Sequence, residues 1–254
     1  MNEPKKERIV LITGANQGVG YQVAKELVQK GLTVLIGSRN FERGQAAAKE
    51  MGPNAIPVQV DVTDQSSISA AAERISKEFG KLDVLINNAG ISRSERNDIT
   101  LEDYKSLYGI STISLDEVRA IWETNVFGAL AVYQAMLPLL RLSTDARIVN
   151  VSSGVGSLTL TASPDFPYRK MYTPGYAGSK SAMNIMALAM MVEHQDDGIK
   201  VNLVSPEFTK TALNNFQGTA SLEEGSREIV RVALLGADGP SGTFTRADDV
   251  TIPW

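Results

Sequence analysis

The sequence contains no cysteine and only one histidine, which excludes several classes of catalytic and metal site. Without cysteine the chain has no disulfide, no thiol nucleophile and no thiolate metal site. With His194 as the single histidine, a metal centre built from several histidines is excluded, and we expect no metal site. His194 follows an apolar stretch at the predicted end of a helix, where a partly cationic imidazole is favourable, so we interpret it as structural.

The sequence also has no excess of basic residues and no long apolar run. The 254 residues include 25 Lys and Arg and 29 Asp and Glu, a formal net charge of −4, which argues against a basic nucleic-acid-binding face. No apolar run reaches the roughly 20 residues of a membrane-spanning helix, and no apolar signal segment follows Lys5 and Lys6. We therefore expect a cytoplasmic protein that binds neither nucleic acid nor membrane.

Short apolar runs alternate with amphipathic stretches along the whole chain. This alternation implies right-handed βαβ crossovers and a parallel sheet covered on both faces. We expect a single-domain, doubly wound α/β Rossmann fold with about seven strands. The predicted strands are 8–13, 32–37, 56–62, 83–87, 147–152, 200–205 and 243–245, and the predicted helices are 20–30, 41–51, 65–79, 115–140, 175–193 and 222–235.

Two segments, 91–114 and 154–174, interrupt the alternation. The first is polar and weakly periodic, and the second contains three prolines among aromatic residues. Both follow strand carboxyl ends, where doubly wound sheets bind their ligands. We expect these segments to wall a substrate pocket, and their aromatic and proline content favours an apolar ketone, aldehyde or quinone.

A glycine-rich turn, TGANQGVG at 13–20, joins the first strand to the first helix. Glycine allows a tight turn and lets backbone N–H groups approach a pyrophosphate at a helix N-terminus. The turn is therefore a candidate dinucleotide site, with an ordinary strand-to-helix turn as the alternative. The candidate contacts are Gly14, Asn16, Gln17, Gly18, Val19 and Gly20.

The end of the second strand indicates which dinucleotide is bound. An acidic side chain there would bond a ribose 2′-hydroxyl, whereas arginine suits a 2′-phosphate. No Asp or Glu occurs at 36–40, where Ser38 and Arg39 stand instead, and Arg43 follows one helical turn later. This pattern favours NADP(H) over NAD(H); two solvated arginines at a helix start are the alternative.

The third and fourth strands end in further candidate cofactor contacts. Asp61 and Val62 are placed to border an adenine, although Asp61 is also a residue type that caps helices and forms turns. Asn88, Ala89 and Gly90 follow the fourth strand, where an amide side chain can fix both a ribose and the neighbouring strand. A turn-forming Asn-Gly cluster is the alternative for these three.

The reaction centre is predicted at Tyr176 and Lys180, which are one turn apart on one helix face. A nearby ammonium favours the phenolate and should lower the tyrosine pKa from about 10. Tyr176 would then be a general acid for carbonyl reduction, or a base for alcohol oxidation. Ser152 or Ser153, at the end of the fifth strand, can bond the substrate oxygen, and Asn125 can orient a water beside Lys180.

In this order, TGxxxGxG, NNAG, Asn125, the serine pair and YxxxK resemble the classical short-chain dehydrogenase/reductase family, across about 8–244. The resemblance implies a catalytic tetrad of Asn125, Ser153, Tyr176 and Lys180. Ser153 matches the family's S-x-x-G pattern, and the resemblance also makes Tyr176 and Lys180 cofactor contacts.

The stretch at 202–211 resembles the family's N-x-x-x-P-G-x-V-x-T segment, which frames the nicotinamide. It implies that Pro206, Thr209 and Thr211 contact the cofactor. Glu207 stands where glycine is usual and Thr209 where valine is usual. The backbone contact to the carboxamide should survive both departures, whereas the resemblance leaves the shape of the substrate pocket open.

Within the family, the chain is most similar to the carbonyl reductase-like branch. The shared features are R-x-x-x-R-G-x-A at 39–46, the tail at 224–244 and the extra residues between Ser153 and Tyr176. The resemblance implies an NADPH-dependent carbonyl reductase, with a cofactor half at about 8–114 and a catalytic half at about 115–254. In that branch an insertion covers the oligomerisation surface, which implies a monomer. The alternatives are an NADP(H)-binding sensor or scaffold without turnover, and alcohol oxidation with NADP⁺.

Overall fold

The β-branched apolar runs form the strands of one eight-stranded sheet in the computed structural model, which describes residues 8–95 and 100–254. The strands are β1 (Ile9–Ile12), β2 (Thr33–Ser38), β3 (Ala55–Gln59), β4 (Val84–Asn87), β5 (Arg147–Val151), β6 (Lys200–Val204), β7 (Phe244–Arg246) and β8 (Val250–Thr251). Every residue of β1, β2, β4 and β5 is buried. Burial of this kind is expected of parallel strands covered on both faces.

The strand order is β3-β2-β1-β4-β5-β6-β7-β8. All neighbours are parallel except β7 and β8, which pair antiparallel. The order reverses between β1 and β4, and in open α/β sheets this reversal opens a ligand crevice at the carboxyl ends of the strands. The doubly wound fold is confirmed. The additional strand, β8, has only two residues, too few for an alternating pattern.

Helices follow the strands in the predicted alternation. They are α1 (Gly18–Gln29), α2 (Phe41–Met51), α3 (Gln65–Phe79), α4 (Leu101–Tyr108), α5 (Leu115–Trp122), α6 (Gly128–Leu140), α7 (Leu158–Ala162), α8 (Tyr176–Glu193) and α9 (Leu222–Ala233). Helices α4 and α7 lie inside the two segments expected to be irregular, of which 96–99 fall outside the described residues. Each begins with a side-chain cap, at Thr100 and Ser157.

One apolar cluster covers each face of the sheet. On one face, residues of α3, α6 and α8, such as Ile68, Val132 and Met190, pack against the strands. On the other, residues of α1, α2 and α9 do so, among them Leu27 and Ile229. The two layers hold the carboxyl edge of the sheet in place. No helix in the described part of the chain is long and apolar enough to span a membrane.

His194 is almost fully buried at the C-terminal end of α8. Its Nε2 is 2.7 Å from the Tyr133 hydroxyl, and its Nδ1 is 2.7 Å from Oδ2 of Asp197. Tyr176 begins the same 18-residue helix, so His194 lies about 27 Å from it along the helix axis. This geometry gives His194 a structural role, joining α6 to the loop after α8.

Replacing His194 by alanine should lower the free energy of unfolding by about 2–4 kcal/mol, because it opens a cavity and removes the hydrogen bonds of the imidazole with Tyr133 and Asp197. Urea unfolding followed by circular dichroism measures the change. Asp196→Ala, at an exposed neighbouring position, is the control and should change stability by less than about 0.5 kcal/mol. Equal stability of the two variants would contradict the structural role.

Candidate active site

Two adjoining cavities open at the carboxyl edge of the sheet. The first, which we term the groove, has a volume of about 410 Å³ and is lined by the glycine-rich turn and the ends of β3 and β4. The second, termed the apolar cavity, has a volume of about 440 Å³ and is lined by side chains such as Met171, Phe208 and Leu213. Tyr176 lines both cavities, so they meet at its side chain.

The glycine-rich turn leaves one wall of the groove bare of side chains. Gly14 and Gly18 have φ values of +66° and +62°, in the left-handed region that favours glycine. A Cβ atom at Gly20 would lie 2.4 Å from Nδ2 of Asn88, so a side chain there would displace the neighbouring loop. Helix α1 begins within this turn, at Gly18, and its Ncap residue Gln17 makes no side-chain capping bond.

Thr13 locks the glycine-rich turn to the end of β4. Its Oγ1 accepts hydrogen bonds from the backbone N–H groups of Asn88, at 3.1 Å, and Ala89, at 3.0 Å. Nδ2 of Asn88 donates in return to the Thr13 carbonyl at 2.8 Å. Asn88 thus makes the contact with the neighbouring strand that the sequence suggested. Sequence reasoning missed Thr13, whose only signal is its position directly before Gly14.

The three candidate cofactor residues at and after the end of β2 differ in their exposure and in their position relative to the groove. Arg39 is exposed and lines the groove, whereas Arg43 is exposed but lies outside the groove lining. Ser38 is buried, and its hydroxyl donates to the Asn40 carbonyl at 2.7 Å. Ser38 is absent from the groove lining, and its hydroxyl closes the turn into α2, so its expected contact with the phosphate stays a prediction.

Asp61 and Val62 both line the groove after β3. Oδ1 of Asp61 accepts hydrogen bonds from the Thr63 backbone N–H at 3.0 Å and from the Thr63 hydroxyl at 2.8 Å. Asp61 therefore serves as a turn residue, one of the two roles left open by the sequence. The other expected cofactor residues that line the groove are Asn16, Gln17, Val19, Ala89, Gly90, Pro206 and Thr211.

Thr209 differs from these residues because it lines the apolar cavity only. Its side chain is buried, and its hydroxyl donates to the Glu207 carbonyl at 2.8 Å. A Cβ at Gly225 would lie 2.1 Å from its Oγ1, so α9 packs directly on it. Thr209 therefore lies between the apolar cavity and α9.

Asn125 is completely buried in the π-helical turn Glu123–Phe127, between α5 and α6. Its Oδ1 accepts from the Ile91 backbone N–H at 2.8 Å, and its Nδ2 donates to the Ile91 carbonyl at 2.8 Å and to the Ser179 hydroxyl at 2.9 Å. The amide therefore fastens the loop after β4 to α8. The expected role of Asn125 in orienting a water beside Lys180 stays a prediction.

Lys180 is buried on the face of α8 next to Tyr176. Its Nζ donates to the Val151 carbonyl at 2.8 Å and lies 5.8 Å from the centroid of the Tyr176 ring. A Cβ at Gly156 would lie 2.9 Å from the Lys180 backbone, so the loop after β5 rests directly on α8. This close approach brings the end of β5 beside the tyrosine and lysine.

The two serines that follow β5 both line the apolar cavity, but their hydroxyls have different partners. The Ser152 hydroxyl is buried and lies 2.5 Å from Oδ1 of Asn184, in α8. Ser153 is half-buried in the wall of the apolar cavity, and its hydroxyl hydrogen-bonds with Tyr176, which lowers the tyrosine pKa. Of the two, Ser153 is the serine beside Tyr176.

Burial moves the pKa values of Tyr176 and Lys180 in opposite directions. It raises the pKa of Tyr176 to about 12, against the opposing hydrogen bond with Ser153. It lowers the pKa of Lys180 to about 8. The net shift of the tyrosine pKa is upward and not downward as expected, because desolvation outweighs the stabilisation of the phenolate by neighbouring groups. Tyr176 is therefore a neutral phenol at neutral pH.

Comparison with known proteins places the chain in a family. The model of the short chain dehydrogenase family matches residues 8–221. The chain belongs to the short-chain dehydrogenase family. Over 238 residues it is 39% identical to the short-chain dehydrogenase anuI of Penicillium roqueforti, an alignment that covers 90% of this chain and 89% of that relative.

Solved structures of reductases share the fold of this short-chain dehydrogenase. Salutaridine reductase from Papaver somniferum superimposes with a TM-score of 0.78 at 27% identity, covering 94% of this chain and 99% of that one. The NADPH-bound carbonyl reductase from chicken fatty liver gives a TM-score of 0.79 at 26% identity, covering 98% and 99%. The chain is thus an oxidoreductase of this family, with reductases among its relatives. In the ranges 8–95 and 100–254, no cluster of three or more metal-ligating side chains occurs.

Proposed function

We propose that this short-chain dehydrogenase reduces a carbonyl compound to an alcohol with NADPH. The observation that carries the proposal is that Tyr176, a neutral phenol, stands where a glycine-walled groove meets an apolar cavity. The groove has the features of a dinucleotide site, and the cavity has those of a site for an apolar small molecule. A proton donor at the junction suits a hydride transfer from a cofactor in the groove to a carbonyl compound in the cavity.

The residues of the groove fit a nicotinamide dinucleotide. Gly14 and Gly18 leave the backbone open to a pyrophosphate at the start of α1, as phosphate-binding helix termini require. Arg39 at the end of β2 supports a 2′-phosphate, because no acidic side chain occurs at 36–40 to receive a ribose hydroxyl instead. When bound, this cofactor supplies the hydride for the carbonyl carbon.

Side chains of the protein bind the carbonyl oxygen and protonate it. Tyr176 donates its phenolic proton to the oxygen as negative charge develops there. The Ser153 hydroxyl, beside Tyr176, holds the same oxygen by a hydrogen bond. The ammonium of Lys180 stabilises the phenolate that remains, and Asn125 keeps α8 and the loop after β4 at a fixed separation.

The pKa of Tyr176 suits this side chain to act as the general acid of carbonyl reduction. With the pKa raised to about 12, the phenol carries its proton at neutral pH and is a general acid. A general base for oxidation would need the phenolate, which is a minor species under these conditions. Oxidation with NADP⁺ remains the second candidate for the direction of turnover.

Absorbance at the nicotinamide band tests the reductase directly, with NADPH and NADH compared on aldehydes, ketones and quinones. Faster turnover with NADPH is the expected result, because Arg39 favours the extra phosphate. Binding of NADPH without turnover of any compound would instead favour a sensor or scaffold. A monomeric state and a cytoplasmic location stay predictions.

Replacing Arg39 by alanine should raise the KM for NADPH by about tenfold or more, because a charged hydrogen bond to phosphate is lost. The KM for NADH should change much less, because NADH has no 2′-phosphate. Arg43→Ala is the matched control, since Arg43 is exposed outside the groove lining. Equal increases in KM for both cofactors would contradict the assigned role of Arg39.

A further inference from the structure

Arg93 is a buried cation at the junction of the two cavities. It is only 7% exposed and lines both the groove and the apolar cavity. It stands two residues after Ile91, whose backbone is held on both sides by Asn125. The loop that carries Arg93 is therefore fixed to α8, and nothing in the mechanism above uses its guanidinium group.

The hydrogen-bonding groups of Arg93 are only partly used. Nη2 donates to Oδ1 of Asn215. Nε is buried without a partner, and Nη1 makes no hydrogen bond with the residues described. A guanidinium group carries five N–H donors, so one neutral amide leaves most of this capacity free.

The described residues provide no counter-charge for Arg93. In the described part of the chain no carboxylate lies within ion-pair distance of its nitrogens. The nearby carboxylate of Glu117 is engaged by Ser94, whose backbone N–H donates to Oε1 at 2.6 Å and whose hydroxyl donates to Oε2. Burying a cation without a partner is unfavourable, and a partner that arrives as a ligand removes the penalty.

The surroundings of Arg93 place its charge on the side of the apolar cavity. Its partner Asn215 lines that cavity and not the groove. Tyr104 also lines that cavity only, and the positive charge of Arg93 acts to lower its pKa while burial raises it. Arg93, Tyr104 and the proton donor Tyr176 all line this cavity.

We propose that Arg93 binds a carboxylate on the substrate, so that the preferred carbonyl compounds are oxo acids with an apolar body. The inference rests on the proposed reductase function and specifies its substrate class. Arginine is suited to this role because its planar guanidinium matches a carboxylate and stays charged when buried. Glu207 lines the same cavity and repels a carboxylate, which favours the orientation with the anion at Arg93.

The test compares benzoylformate, an apolar oxo acid, with its methyl ester. The kcat/KM ratio of acid to ester should exceed one in the unaltered enzyme and fall at least tenfold in Arg93→Met, with partial rescue in Arg93→Lys. Arg246→Met is the matched control, because Arg246 lines the same cavity but is exposed. This control should change the ratio by less than threefold.

A binding measurement separates this proposal from the reductase function itself. Titration calorimetry in the presence of NADP⁺ should show benzoate binding at least tenfold more weakly to Arg93→Met, and benzamide should show no such difference. An unchanged acid-to-ester ratio, or an equal loss in Arg246→Met, overturns the proposal while ester reduction still supports the reductase. Weaker NADPH binding in Arg93→Met, with benzoate affinity unchanged, also overturns it and assigns Arg93 to the cofactor. Weaker benzoate binding without turnover of either compound supports the carboxylate site and contradicts the reductase.

Discussion

Replacing Tyr176 by phenylalanine should lower kcat by about 10²–10⁴-fold, the usual contribution of a general acid. The change removes the phenolic proton and keeps the ring that separates the groove from the apolar cavity. Because the phenol carries its proton at neutral pH, the loss should appear in the reduction assay across the neutral range. The Kd for NADPH, measured by fluorescence, should change by less than about threefold, since the glycine-walled groove is intact.

Tyr172→Phe is the matched control for this substitution. Tyr172 belongs to the same loop region, is 39% exposed and is absent from the lining of either cavity. Its loss should leave kcat within about twofold, because an exposed hydroxyl outside the cavities has no access to the substrate. If Tyr176→Phe kept more than about a tenth of the activity, Tyr176 would have no place in the proton transfer.

The fold was predictable from the sequence because its strands are buried on both faces. Unbroken runs such as Ile9–Ile12 and Val84–Asn87 have the length and β-branched content of central parallel strands, and each is followed by an amphipathic stretch. Glycines after the helices, at Gly31 and Gly80, take the positive φ values of turn residues and end the helical pattern. Local pattern and tertiary structure agree throughout this part of the chain.

Two of the elements missed by the sequence analysis, α7 and β8, are short and depend on tertiary contacts. Helix α7 has five residues, none of them buried, and is held by the Ser157 cap and by a bond from Thr159 to the Trp254 carbonyl. Strand β8 consists of two exposed residues that pair with β7. Neither element has an apolar periodicity of its own, so the sequence carried no signal for them.

The candidate site was predictable in its residue types and less so in its side-chain directions. Sequence spacing placed Tyr176 and Lys180 on one face of α8, as the structure has them. It did not reveal that Thr13 holds the loop after β4, because this bond joins two strands that are distant in sequence. Nor did it reveal that the Ser38 hydroxyl bonds the Asn40 carbonyl, a local bond that the residue types alone do not specify. The division into a cofactor half and a catalytic half stays a prediction, since the groove also contains Thr211.

The direction of the Tyr176 pKa shift could not be derived from spacing alone. A lysine four residues along a helix lowers a tyrosine pKa only if its ammonium faces the phenol in a polar setting. In this protein Nζ points to the Val151 carbonyl, and burial acts on both side chains. The pKa of Tyr176 is about 12 and that of Lys180 about 8, so Lys180 is the group of the two that titrates closer to physiological pH.

The rate of carbonyl reduction should therefore fall as the pH rises through about 8, the value to which burial lowers the pKa of Lys180. The active form carries the proton on Lys180, because the ammonium stabilises the Tyr176 phenolate, and this form is lost above the pKa. Between pH 6 and pH 7 the kcat/KM should be nearly constant, and well above 8 it should fall about tenfold per pH unit. Tyr176 itself keeps its proton over this range, since its pKa is raised to about 12.

Lys180→Arg distinguishes this lysine from any other group that titrates near pH 8. Arginine stays charged at every accessible pH, so the variant should lose the fall in rate between pH 8 and pH 10, even with a lower kcat. Lys180→Met should reduce kcat at all pH values, because no cation remains beside the phenolate. A wild-type fall near pH 8 that persists unchanged in Lys180→Arg would assign the titration to a different group. If the rate fell only above pH 11, the pKa of Lys180 would be higher than its burial predicts.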